Sequence, residues 1–75
     1  MENLKTKIAK IETTEELASY YEAIINQNLE KGVELICTMA IEEELENRDA
    51  ENYEAWMQAQ DEDITLLNKP TLFFN

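Results

Sequence analysis

The sequence contains no histidine, one cysteine, one glycine, one proline and only six Lys or Arg among its 75 residues. Without His there is no imidazole base to activate a Ser or Cys nucleophile. The Glu and His pairs of carboxylate di-metal sites in helical bundles cannot be assembled either. Asp61, Glu62 and Asp63 resemble the start of a calcium loop, but the Gly at its sixth position and the closing Glu are missing. Carboxylate-only acid and base chemistry needs a cleft, which so short a chain has little core to wall off. No hydrophobic run approaches the roughly 18 residues of a membrane span. The lone Cys37 has no partner in its own chain and sits in the apolar run LICTMAI, where it reads as a small buried hydrophobe. The expectation is therefore no enzyme, no cofactor, no metal and no membrane partner.

What is present is apolar and acidic. Hydrophobic residues make up 44% of the chain, too many for a disordered tail, and 17 Asp or Glu give a net charge of −11. A chain of this length buries only about 60% of its unfolded surface, which allows one core and hence a single domain over residues 1–75. Lys5, Lys7 and Lys10 are not followed by the continuous apolar stretch of a secretory signal, so a cytoplasmic location is expected. Direct nucleic-acid binding is disfavoured, because from Glu12 onwards 16 acidic residues face only Lys31, Arg48 and Lys69.

The patterning predicts an all-α domain of three or four short antiparallel helices with an extended apolar C-terminal tail. Leu4, Ile8 and Ile11 give residues 1–11 the period of a short basic amphipathic helix. Thr13 followed by Glu16 reads as a capping box opening a helix over 14–31, whose stripe is Leu17, Tyr20, Tyr21, Ile24, Ile25 and Leu29. Lys31 and Gly32 look like its cationic last turn and stop. From Val33 to Ile41 the apolar residues fit both the alternation of a strand and the helical stripe Val33, Ile36, Cys37, Ala40 and Ile41. The Glu-rich continuation and the lack of a partner strand favour helix.

This stripe does not line up with the later series Ala50, Tyr53, Met57, Gln60, Ile64 and Leu67. Residues 33–46 and 50–67 are therefore expected as two helices or one kinked helix, with a break near Asn47 to Asp49 and Asp49 available as a cap. Pro70 ends helical pattern, and residues 68–75 form the tail. Phe73 and Phe74 either fold back over the core or enter a partner's groove.

Charge supplies the functional lead. Between Glu42 and Asp63 lie ten acidic residues and one basic, Arg48. On a continuous helix these acids would recur about every 3.3 Å, against about 3.4 Å per phosphate along one DNA strand. Net charge of this size also exceeds the magnitude of about 2 to 8 that solubility asks of a small domain. The expectation is a small acidic protein that inhibits a basic nucleic-acid-binding protein by presenting a nucleic-acid-mimicking surface. In it Glu42, Glu43, Glu44, Glu46, Asp49, Glu51, Glu54, Asp61, Glu62 and Asp63 stand in for phosphates, while Tyr53, Trp56 and Met57 act as anchors. In size and composition alone the chain resembles phage and mobile-element inhibitors of host defence. The plainer reading is a solvated helix surface. A second reading is a self-associating module, with Trp56, Met57, Phe73 and Phe74 against another copy and Lys5, Lys7 and Lys10 lining an inter-subunit pocket for a small anion.

Overall fold

The computed structural model describes residues 3–74. Of the elements expected above, the first two residues of the N-terminal helix and the last residue of the tail lie outside the described residues. The described chain is all-helical: α1 Leu4–Ala9, α2 Thr14–Asn26, α3 Lys31–Arg48 and α4 Ala50–Glu62, followed by 3-10 turns at Ile64–Asn68 and Pro70–Leu72.

Capping explains the starts. Asn3 accepts from the Thr6 amide at 2.8 Å to open α1, and Thr13 Oγ1 accepts from the Glu16 amide at 3.1 Å to open α2. Where α2 ends, the structure corrects the sequence reading. The helix stops at Asn26, not Lys31, because Asn28 takes the left-handed conformation at φ 55°. Asparagine tolerates that region, as its short polar side chain can bond locally. Gly32, expected as the stop, has ordinary φ and lies in the first turn of α3.

Val33 to Ile41 are helical, and the helix continues to Arg48. It ends at Asp49, whose backbone leaves the helical region at φ −152°, ψ 77° and whose carboxylate accepts from the Asn52 amide at 3.1 Å. One residue therefore ends α3 and caps α4. The helix expected over 50–67 stops at Glu62, since Asp63 Oδ1 takes the Thr65 amide at 3.0 Å and its hydroxyl at 2.6 Å, starting a 3-10 turn. The tail is likewise wound at Pro70–Leu72 where extended backbone was expected.

The core comprises Ile8, Leu17, Ala18, Tyr21, Ile24, Ile41, Leu45, Trp56 and Phe74. Trp56 is its hub. Its ring meets Tyr21 at 5.2 Å, Phe74 at 6.0 Å and Tyr53 at 6.1 Å, all edge to face, the arrangement the ring quadrupoles favour. Indole Nε1 donates to the Leu66 carbonyl at 2.8 Å, which ties the first 3-10 turn to α4.

Phe74 is fully buried and Phe73 packs beside the core, so the terminal aromatics fold back on the molecule. Glu22 holds the tail by accepting the Thr71 amide at 2.9 Å. Arg48 joins α1 to α3: it pairs with Glu44 at 2.8 Å and donates to the Ile8 and Ala9 carbonyls at 3.2 and 3.3 Å, where a cation also suits the helix dipole.

The principal extents are 39, 26 and 15 Å. The shortest matches two helix layers with axes about 8–10 Å apart. One side of α3 stays uncovered, with Val33, Leu35, Ile36 and Met39 exposed on it.

Candidate partner-binding surface

The ten acidic residues proposed from sequence separate into two sets once their contacts are known. Four are engaged in holding the fold. Glu44 pairs with Arg48, Asp49 caps α4 and also accepts from Asn52 Nδ2 at 2.7 Å, and Asp63 starts the 3-10 turn. Glu42 is half-buried and accepts from the Tyr21 hydroxyl at 3.4 Å.

Protonation behaviour follows these contacts. Burial raises the Glu42 carboxyl above the ordinary 4.5, partly offset by the Tyr21 hydrogen bond. Burial, then the Glu42 charge, pushes the Tyr21 phenol well up, and the same two causes act on Tyr53 with help from Glu46. Asp63 moves down instead, because the Thr65 hydroxyl and amide both stabilise its carboxylate.

The other six, Glu43, Glu46, Glu51, Glu54, Asp61 and Glu62, are exposed. On α4, Glu51, Glu54, Asp61 and Glu62 fall within an arc of about 100° at 100° per residue, centred opposite buried Trp56. On α3, Glu43 and Glu46 lie on the side away from buried Thr38, Ile41 and Leu45. The break at Asp49 means that these two stretches are not one straight rod.

Of the anchors proposed from sequence, Trp56 is corrected: it is fully buried and cannot reach a partner. The series Ala50, Tyr53, Met57 missed it because α4 turns Trp56, not that series, to the centre of the core. Tyr53 and Met57 are half-buried at the edge. The exposed apolar side chains sit instead on α3, where Ile36 is 65% exposed, Leu35 58%, Met39 57% and Val33 47%. For Ile36 and Met39 the signal is the spacing Gly32, Ile36, Met39, Glu43 and Glu46, which repeats by four and three residues along one helix face and ends in exposed acids.

Two apolar grooves flank that row. One, of about 510 Å³, runs between α1 and α3 and is lined by Leu4, Lys5, Ile36, Met39, Ala40 and Glu43. The other, of about 440 Å³, lies on the α2 side and is lined by Tyr21, Ile25, Leu35, Met39, Glu42 and Leu67, among others. Among the described residues no group of three or more His, Cys, Asp or Glu could hold a metal ion. No helix of the described residues is long and apolar enough to cross a membrane. No protein-family model, curated protein or solved structure matches the chain, so the role of this surface is argued from its own geometry.

Proposed function

We propose that the protein acts by stoichiometric binding, docking the outer face of α4 and the acidic end of α3 on a basic nucleic-acid-binding protein and blocking its nucleic-acid site. The observation that carries this reading is the row of exposed carboxylates Glu51, Glu54, Asp61 and Glu62 on one face of α4, continued by Glu43 and Glu46 on α3. From Glu51 to Glu62 the axis advances about 16 Å, so the α4 acids are spaced about 5.5 Å apart on average. That is a little over half the linear charge density of one DNA strand, with its phosphate about every 3.4 Å. A field of this sign steers a cationic groove to the surface quickly and in a salt-dependent way. Tyr53 lies on the core side of α4, half-buried against Trp56 and near Glu42 and Glu46, so the surface is carried by its carboxylates and not by an aromatic anchor.

The test is affinity capture from a nuclease-treated lysate, with elution by stepped salt and by competing duplex DNA. The expected result is a nucleic-acid-binding protein displaced by both, and not captured when Glu51, Glu54, Asp61 and Glu62 are all replaced by Lys. These four side chains are exposed, so the variant is expected to keep the circular dichroism of the parent. Equal capture by the parent and the charge-reversed protein would refute the proposal.

A further inference from the structure

The groove between α2, α3 and the first 3-10 turn has a half-buried carboxylate, Glu42, set into one end. We infer that this groove binds a small organic cation, a protonated amine whose ammonium group sits on Glu42 while its hydrocarbon body lies along Ile25, Leu35 and Leu67.

Size and lining give the first argument. The groove encloses about 440 Å³, within the about 300–1,000 Å³ of small-molecule sites, which are mostly apolar with a few converging polar groups. Ile25 comes from α2, Leu35 and Met39 from α3 and Leu67 from the 3-10 turn. Thr38 lies among them with its hydroxyl proton already donated to the Leu35 carbonyl at 3.2 Å. The middle of the groove is therefore hydrocarbon, and its chemistry is at the ends.

Charge identifies the ligand. At one end Lys31 and Glu34 stand three residues apart and balance in charge. Glu42, at the other, has no such counterpart. Lys31 precedes it by 11 residues, about 16 Å along the helix axis, which is beyond the reach of its side chain. Arg48 is committed to Glu44 and to the end of α1. Among the described residues Glu42 has no ion pair, and its hydrogen bond from the Tyr21 hydroxyl, at 3.4 Å, is long beside the about 2.5–3.0 Å usual between oxygens. Most of the lone pairs of a half-buried carboxylate are thus left for a ligand, and burial already raises its carboxyl. The groove towards α1 lacks this imbalance, since Lys5 and Glu43 line it together.

Tyr21 completes the recognition. Its phenolic proton points to Glu42, so the hydroxyl oxygen is an acceptor beside the carboxylate, and an ammonium group with three donors can bond to both. Among the described residues no group of three or more metal-ligating side chains surrounds the spot, and the apolar walls match a carbon-bearing cation instead.

The test is titration of the full chain with phenethylammonium in about 0.15 M salt, followed residue by residue through amide nuclear magnetic resonance shifts. Saturable shifts are expected at Tyr21, Ile25, Leu35 and Leu67, with half-saturation near about 1 mM. Phenethyl alcohol, which lacks the charge, and ethylammonium, which lacks the ring, are each expected to bind at least about tenfold more weakly. Glu42→Gln should weaken the amine at least about tenfold and Glu34→Gln less than about threefold. Unchanged circular dichroism shows that both variants fold.

No saturable shift up to about 10 mM, a concentration about tenfold above the expected midpoint, would overturn the inference. So would shifts centred on the α4 carboxylates, equal binding of the alcohol, or equal losses in Glu34→Gln and Glu42→Gln, which would mean that the general field of the acidic chain holds the amine.

Discussion

Trp56→Phe measures how far the fold rests on a single side chain. The substitution leaves an aromatic ring in the buried site but removes about three heavy atoms, worth about 2–3 kcal/mol at about 0.8 kcal/mol per buried carbon group. It also removes the Nε1 donor to Leu66. That carbonyl keeps the Lys69 amide at 3.1 Å, so it is not orphaned, and the loss is that of an ordinary hydrogen bond, about 0.5–1.5 kcal/mol. The expected total is about 3–4 kcal/mol. Against the about 4–11 kcal/mol that typical per-residue stabilities give a chain of 75 residues, this is a large fraction. Urea unfolding followed by far-UV circular dichroism should show the midpoint falling by about 3 M at a slope of about 1 kcal/mol per molar. A loss below about 1 kcal/mol with an unchanged slope would refute the placement of Trp56 at the centre of the core.

Replacing Asp49 by Ala should cost about 0.5–2 kcal/mol in the same assay, because α4 loses its cap, while Asp49→Asn should retain most of the stability. Equal losses in the two variants would remove the capping explanation. The Glu42 carboxyl, raised in the folded state by burial, holds its proton at pH values where the unfolded chain has released it. Its contribution therefore increases stability as pH falls from neutrality, is complete below the ordinary value of 4.5, and is lost as pH rises through the elevated folded value. Glu42→Gln should flatten this part of the stability curve and raise stability at neutral pH. Parallel curves for parent and variant would contradict the assignment.

Local chemistry was the most legible part of the sequence. Thr13 and Asp49 were readable as caps because a short acceptor side chain at a helix start does the same work in any context. The all-helical class followed from the 3.6-residue periods and the lack of a partner strand. Sequence alone points to Gly32 as the end of α2, because glycine is the commonest left-handed stop, whereas Asn28 holds the positive φ. Trp56 and Ile36 were misplaced for one shared reason. Periodicity shows that a helix has an apolar side, but a helix with apolar residues on several sides buries the one its neighbours select, and that choice is made by tertiary packing. On α3 the choice fell on Thr38, Ile41 and Leu45, with the Thr38 hydroxyl satisfied by the Leu35 carbonyl at 3.2 Å. Ile36 and Met39 were left outside.

The same selection explains why the acidic stretch is less uniform than its composition. A carboxylate that caps a helix or pairs with Arg48 has its lone pairs occupied and its position set by the fold, so Glu44, Asp49 and Asp63 are poor substitutes for phosphates. The burial that raises Glu42 acts against its charge in the same way. Net charge therefore overstates the surface that a cationic partner would meet, and the face of α4 is where charge and exposure coincide. Added salt should accordingly weaken docking through the α4 carboxylates, and capture of a partner that does not fall as salt is raised would mean that charge does not hold the complex together.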